Sequence, residues 1–444
     1  MKLTKLVDVL PAERVTLAWA FVYFYCLLCS YYIIRPIRDA MGISSGVDNL
    51  QYLYFATIVI MLALVPLFGW ITSRWPRRKF LPFIYLFFIL NLVVFYFLFR
   101  FYPNAALLSQ SFYLWVNVFN LFVVSVFWSF MSDIFTDSQA KRLFGFIAAG
   151  GSAGAITGPI ITSLLIETVG LQNLLLVSAA FLVLAIACIS RIVDADRTMD
   201  AATKVHAVNE ETDENKKEKE ELAEVVAPNK ELLKGGAWDG IFLVYRSPYL
   251  LGICVLMLCY SVLSTFLYFQ QVQIIGDNFT DANARTVMFA RVDLVVNVLT
   301  IVCQLFITSR LIKTIGLGLT LAIVPALLVL GLALLGLAPV FGWSMLVVVI
   351  ALQVVRRVGY YAIINPAREN LFVVVSRAEK YKAKNFIDTS VYRGGDMLAA
   401  GLSGVLRSAG FTIASIAFMA VPLALLWAAV SLWLGKKHDE RTAT

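Results

Sequence analysis

Arg356 and Arg357 lie side by side about fourteen residues into an apolar run that opens at Trp343. Two further apolar runs hold charges just as deeply, Arg291 with Asp293 and Arg393 with Asp396. If these runs cross a bilayer, each Arg or Asp near its centre costs about 2.5–3.5 kcal/mol, so the six together would offset a whole domain's ~5–15 kcal/mol of stability. Such charges must face one another or water. Four of the six are arginine, and the guanidinium fork pairs bidentately with carboxylate or phosphate, so an interior rich in arginine points to an anionic ligand.

Spacing sorts these charges. Arg291 and Asp293 are two residues apart, so on a helix they face different ways and each needs a partner elsewhere. Arg393 and Asp396 are three apart, share a face and can satisfy each other as well as a ligand. Adjacent helical positions diverge by about 100°, so one of Arg356 and Arg357 is expected to face a cavity and the other to hold a structural ion pair. Arg35, Arg38 and Asp39 end the first apolar run, with Pro36 between them. Proline removes an amide donor, so a broken helix end facing a ligand is expected there, in competition with snorkelling to headgroups. Among uncharged groups, Asn117 and Asn120 share a face of the fourth run, and Gln270, Gln271 and Gln273 line the outer end of the seventh. These amides could bond a base or ribose, or simply join helices. Tyr31, Tyr32, Tyr360 and Tyr361 could stack on a planar ring, but aromatic residues are 13% of the chain and most must pack.

The elements that position these groups follow from composition. With 444 residues, 60% hydrophobic and 15% charged, and a mean hydropathy of +0.79, the chain is too apolar for a soluble domain and reads as an all-α polytopic membrane protein. Each span needs ~20 mostly apolar residues. Twelve transmembrane helices are expected, near 15–35, 48–72, 80–100, 110–132, 144–166, 171–191, 248–273, 286–308, 315–336, 343–365, 388–407 and 411–434. They form two six-helix halves, 1–191 and 248–435, around a charged cytoplasmic linker, 192–247, with a cytoplasmic tail at 436–444.

Lys2, Lys5 and Arg14 precede the first run, which is too long for a signal peptide and lacks a cleavage site, so it reads as an uncleaved helix. The net charge of +8 concentrates in alternate loops: Arg74, Arg77, Arg78 and Lys79; Lys141 and Arg142; Arg310 and Lys313; and Arg368, Arg377, Lys380, Lys382 and Lys384. The positive-inside rule then makes both termini cytoplasmic, and no nucleic-acid partner is needed to explain the charge; membrane lipid is the implied surround. All six cysteines fall inside spans, and the two histidines, His206 and His438, lie in polar segments, so no metal site or cofactor is expected. There is no phosphate-cradling Gly-x-x-x-x-Gly-Lys loop, no Gly-x-Ser-x-Gly and no His-Glu-x-x-His. The chain therefore does not read as an enzyme.

Within the linker, Glu210 to Glu221 is a charge run suited to a solvated helix or a docking arm, and Trp238 to Tyr245 reads as a short interfacial amphipathic helix. Gly69-Trp-Ile-Thr-Ser-Arg74-Trp-Pro-Arg77-Arg78 matches Gly-x-x-x-Asp-Arg-x-Gly-Arg-Arg, with Ser73 in place of the acid and Pro76 of the second glycine. In the fifth run Gly150, Gly154 and Gly158 recur every fourth residue before Pro159, a spacing that also suits backbone-to-backbone packing; the eleventh also carries small residues, at Gly394, Gly395, Gly401 and Gly404. Duplicated six-span halves with these two motifs resemble the major facilitator superfamily. The resemblance implies a cytoplasmic latch at Arg74, Arg77, Arg78, Lys141, Arg142, Lys382 and Lys384.

Three blocks narrow it. Ile34-Arg35-Pro-Ile-Arg38-Asp39 is similar to Leu-Arg-x-x-Lys-Asp. Phe127-Trp128-Ser-Phe130, followed by Ala140-Lys141-Arg142-Leu-Phe144, is similar to Phe-Trp-Gly-Phe and Ala-Lys-Arg-x-Phe. Pro366-Ala-Arg368-Glu369, Lys382-Ala-Lys384 and Gly394-Gly395 are similar to a Pro-x-Lys-Glu, Lys-x-Lys, Gly-Gly series. All three patterns belong to ATP/ADP translocases, and Asn117 stands where those proteins carry a glutamate. The resemblance implies a secondary transporter in a bacterial inner membrane that exchanges a nucleotide or related small organic anion by alternating access. Two alternatives remain open at this point: a proton-coupled carrier of a non-nucleotide anion, titrating at Asp39, Asp293 or Asp396, or a non-transporting membrane receptor or assembly protein with the linker as its arm.

Overall fold

Sixty per cent apolar side chains in long uninterrupted runs leave the backbone no partner but itself, and the chain responds with helices. The computed structural model describes residues 9–74, 77–209, 239–376 and 379–443. In order these are α1 (Arg14–Ser44), α2 (Leu50–Arg74), α3 (Arg77–Phe101), α4 (Ala106–Ile134), α5 (Asp137–Asn209), α6 (Asp239–Arg246), α7 (Pro248–Asn278), α8 (Ala282–Phe306), α9 (Thr308–Phe341), α10 (Met345–Leu371), α11 (Tyr392–Ser408) and α12 (Ile413–Ala443). No strand occurs among the described residues.

Two of these are bent. Gly170 (φ 80°, ψ 161°) divides α5 between the expected fifth and sixth spans, and Gly316 (φ 77°, ψ 169°) sets off the basic start of α9; only glycine takes such angles without strain. Among the described residues nine helices are long and apolar enough to cross a membrane, one of which, Ser138–Ala195, contains that bend. The protein is an integral, all-α membrane protein. The second limb of α5 continues to Asn209, so the first part of the expected linker is helical, while its charge run lies outside the described residues. In α6, beside it, Phe242 and Tyr245 are exposed.

Start signals fix the registers that matter for the interior. Pro248 opens α7 behind Ser247, whose hydroxyl accepts from the Leu250 amide, and Asp281 caps α8 by accepting from the Ala284 amide at 2.9 Å. The sequence predicts a broken helix end at Pro36; instead α1 runs unbroken to Ser44. The proline removes the amide that the Tyr32 carbonyl would accept from, and Thr162 of α5 donates to the neighbouring Ile33 carbonyl at 3.3 Å, so α5 steadies the weakened turn.

Buried apolar side chains form two main cores. One joins α1, α3, α4 and α5, the other α7, α9, α10 and α12, and α1 and α7 are the most buried spans. A third cluster bridges them at the end of the bundle opposite both termini, where Ile43, Leu50, Leu53 and Tyr113 meet Phe269, Val272, Ile275 and Phe289. Arg285 donates to Ser44 and Arg407 to the Val47 carbonyl across the same seam, both at 3.4 Å. At the terminus end, Arg142 pairs with Glu13 at 2.9 Å and Arg368 with Asp388 at 2.8 Å, each within one group of helices. The structure is thus held closed at the far end.

The fifth-run glycines pack α5 onto α1. A Cβ on Gly150 or Gly154 would overlap the carbonyl oxygens of Phe21 and Tyr25, and one on Gly158 would lie 2.7 Å from Tyr32 Cβ. Gly401 has nothing within 4 Å of its Cβ position. Gly154→Val should therefore destabilise by about 1–3 kcal/mol or more, as overpacking does, and Gly401→Ala should be neutral or slightly stabilising. Thermal unfolding in detergent checks this, and equal melting shifts for the two would contradict the packing assignment.

Candidate functional site

In the last third of α1, one helix face presents Arg35, Arg38 and Asp39 to an internal cavity of about 200 Å³. Tyr54 of α2 with Tyr113 and Asn117 of α4 complete the wall on that side. Opposite, α7 contributes Tyr260, Ser264, Tyr268 and Gln271, whose spacing of four, four and three places them on a single face. From α8 come Phe289 and Asp293, from α10 Arg356, Arg357 and Tyr361, and from α11 Tyr392. Four arginines against two aspartates leave two formal positive charges in the lining.

These charges are unequally neutralised. Arg38 bonds Asp39 through Nη2 at 2.7 Å and Asn117 Oδ1 through Nη1 at 2.8 Å, and Asp39 also accepts from the Tyr268 hydroxyl at 2.9 Å. Asn117 is fixed in turn by donating to the Tyr113 carbonyl at 2.9 Å. Asp293 stands between the two groups of helices: Arg357 Nη1 lies 2.6 Å from one of its oxygens and Arg35 Nε 3.6 Å from the other. The second is an ion pair beyond hydrogen-bond length. Arg356 has only neutral acceptors, Gln353 Oε1 at 2.7 and 3.0 Å and the Ser264 hydroxyl. It therefore keeps its whole charge in a site where it is 7% exposed.

Both Arg356 and Arg357 line the cavity, which corrects the expectation that only one would. Arginine is long enough for neighbours 100° apart to reach the same space, one towards α7 and one towards α8. Immediately after them α10 makes a π-helical turn, Tyr360–Ile364, a widening common at functional sites. Tyr360 stacks on Tyr260 at 4.0 Å, which anchors the α7 ring at the cavity wall.

Other candidates fall outside the lining. Arg291 is exposed and borders a separate surface cavity with Glu167 and Asp281, because it is two residues from Asp293 and points away. Asn120 is not in the wall, and Gln271, rather than its buried neighbour Gln270, faces the cavity. Asp396 is buried against α7, accepting from Ser261 at 2.7 Å and Thr265 at 2.9 Å, with Arg393 at 3.5 Å; neither lines the cavity. Of the expected latch, Arg74 and Lys141 are exposed and Lys384 pairs with Glu369. Lys382 is half-buried, and the side chains of Arg77 and Arg78 lie outside the described residues. Burial opposes ionisation of Glu13, yet hydrogen bonds from Gln139, the Leu10 amide and Arg142 hold its carboxyl below its usual range.

Sequence reasoning missed Tyr54, Tyr113, Tyr260, Ser264, Tyr268, Phe289 and Tyr392. A signal existed for α7, where hydroxyl residues recur at helical spacing in an apolar run.

A charged cavity enclosed by two groups of membrane helices is a site of the kind that a membrane transporter carries. The profile of the Major Facilitator Superfamily matches residues 118–367, more than half of the chain, and the chain belongs to that superfamily. It is 22% identical over 480 residues to ADP,ATP carrier protein 1 of Chlamydia muridarum (strain MoPn / Nigg), covering 93% of this chain and 85% of that one. To ADP,ATP carrier protein 2 of Chlamydia pneumoniae it is 22% identical over 491 residues, covering 93% and 87%. The resemblance read from residues 34 to 395 thus extends along nearly the whole chain. Among solved structures the fold is similar to a bacterial homologue of the iron transporter ferroportin in an inward-facing state (TM-score 0.62, 12% identity, 96% of this chain and 98% of that one). A point mutant of the nucleoside transporter NupG is also similar (TM-score 0.59, 12% identity, 96% and 99%). At such identities the structures speak for the fold alone.

Two outcomes follow from the unequal neutralisation. Arg356→Gln should weaken anion binding at least about tenfold with little change in melting, since it removes a charge that has no carboxylate partner. Arg357→Gln should also destabilise, towards the about 3–5 kcal/mol seen when one member of a buried pair is removed, moderated here by Arg35. Calorimetric titration with pyrophosphate alongside thermal unfolding separates them, and matching profiles would refute the distinction.

Asn117→Glu should convert the Arg38 contact into an ion pair and lower the lining surplus from two charges to one. Preference should then move towards less highly charged anions. Competition between mono-, di- and triphosphate nucleotides for binding checks this; an unchanged order would reduce Asn117 to helix packing.

Proposed function

We propose that the protein is a secondary transporter, not an enzyme, that carries an organic anion, with a nucleotide the best fit, by alternating access between two six-helix halves. The observation that carries this reading is the surplus of two positive charges in a cavity that both groups of helices line. A phosphate chain would satisfy Arg356 and the unused donors of Arg35 and Arg357, while the tyrosine faces and hydroxyls, with Gln271 and Asn117, suit a base and ribose. The named activity of the chlamydial relatives supports exchange of ATP against ADP. With no phosphate-cradling hydrolysis loop in the sequence, ATP would be cargo rather than fuel. The basic loops favour cytoplasmic termini, in a bacterial inner membrane, and the structure then corresponds to the state closed towards the outside.

A second reading, proton-coupled carriage of a non-nucleotide anion, is favoured by one observation. Asp396 is 2% exposed and accepts from two hydroxyls, with Arg393 at an ion-pair distance of 3.5 Å. Asp39 and Asp293 are held by arginines at shorter range, 2.7 and 2.6 Å.

Liposomes preloaded with ADP and offered labelled ATP test the first reading. ATP carries about one more negative charge than ADP, so one-for-one exchange moves a charge worth ~2.3 kcal/mol per 100 mV, and a valinomycin-imposed potential should bias the flux. Flux that ignores potential would replace simple exchange by a compensated one; a pH gradient that drives another anion while no nucleotide moves would establish the second reading.

A further inference from the structure

We infer that Asp293 is an internal counter-anion that stands in for the ligand between Arg35 and Arg357, and that it governs whether the carrier can close empty. The inference rests on the anion-transport reading and deepens it. Arg35 belongs to one group of helices and Arg357 to the other, and the closed far-end seam brings both onto the one carboxylate, at 3.6 and 2.6 Å. Without it, two guanidinium groups would converge on a poorly hydrated space with no anion between them, and their repulsion would oppose the seam. With it, one net charge remains there instead of two, and the halves can meet without cargo.

The pairing is also unfinished. Arg35 Nε, Arg357 Nη2 and Asp293 Oδ2 are buried without a hydrogen-bond partner. Oxygens of an incoming anion can take up those donors, so the carboxylate yields to a ligand at the cost of only one good bond, that to Arg357 Nη1. A carrier so equipped closes loaded or empty, which permits net movement as well as exchange. A carrier lacking the carboxylate closes only with an anion aboard, which restricts it to exchange. Arg356 stands outside this balance, because its acceptors are neutral in either case.

The test compares Asp293→Asn and Asp293→Glu with the unaltered protein in proteoliposomes. Uptake of labelled ATP is measured into vesicles that are either empty or preloaded with ADP. For Asp293→Asn the ratio of net uptake to exchange should fall at least about tenfold, the scale expected when one member of a buried ion pair is lost, and Asp293→Glu should restore it. A second readout needs no transport. Spin labels at Asn104→Cys and Thr412→Cys, exposed positions at the far end on opposite groups of helices, should report a short distance in the ligand-free protein. Asp293→Asn should lengthen it, and pyrophosphate should shorten it again.

A ligand-free Asp293→Asn protein that keeps the short distance, or an unchanged ratio, would overturn the inference. Should that variant not fold, Asp293→Asn/Arg357→Gln removes both charges; the inference requires it to close without ligand, and a far end that stays open would refute it. If the unaltered protein moves no nucleotide in either mode, the nucleotide reading fails, while the ligand-free distances still decide the role of Asp293.

Discussion

A carboxylate shared between two arginines from opposite groups of helices, Asp293 with Arg35 and Arg357, is the interaction on which the closed seam depends. These three charges sit in a membrane interior, and removing the aspartate leaves two arginines with no counter-charge. The surrounding architecture brings them to one point. The Asp281 cap sets where α8 begins, and so places Asp293 just over three turns into it. The α5 glycines hold α1 at backbone contact, and α1 stays helical past Pro36 and through Arg35. On the other side the Tyr260–Tyr360 stack ties α10 to α7 just beyond the arginine pair.

Arg38 and Asp39 make a second, quieter junction. Their charges cancel, so the contact adds little to ligand attraction, but the Tyr268 hydroxyl reaches Asp39 from α7 and the Tyr113 hydroxyl lies 3.2 Å from that of Tyr268. The bond between the two tyrosines is worth ~1 kcal/mol and that to the carboxylate about 1.5–3 kcal/mol, and both can break and reform as the halves move. This suits a carrier better than another buried ion pair would. The two junctions therefore divide the labour, one sensing charge and one aligning the walls.

The helical fold was legible in the sequence because its cause is one-dimensional: long runs of apolar residues act locally. The charged part of the site was legible for the opposite reason, since Arg35, Asp293, Arg356 and Arg357 are costly where they stand and so advertise a purpose. Partners across the interface were not. Nothing in the spacing of Arg35 tells that Asp293, more than 250 residues later, will meet it. The tyrosines were hidden too, because in helices apolar on every side the hydrophobic pattern does not mark which face looks into a cavity. Pro36 misled because a proline inside a long, packed span need not end the helix, and Arg356 with Arg357 because the angle between helical positions ignores side-chain reach.

The charge balance also constrains the cargo. Arg38 with Asp39 contributes nothing, Arg35 and Arg357 with Asp293 contribute one charge, and Arg356 contributes another. A monovalent anion could neutralise one of the last two but would leave the other exposed to a site closing around it. A ligand with two or more negative charges on neighbouring oxygens answers both, provided it spans from Arg356 to Arg357, which share a backbone neighbourhood on α10. Phosphate chains have that spacing of charge. The neutral amide at position 117 matters here, because an acid there would add a negative charge beside Arg38 and leave the cavity needing one charge fewer. On the proposed anion-transport reading, ligand charge is set by the protein's own imbalance, and the aromatic walls are left to choose among ligands that meet it.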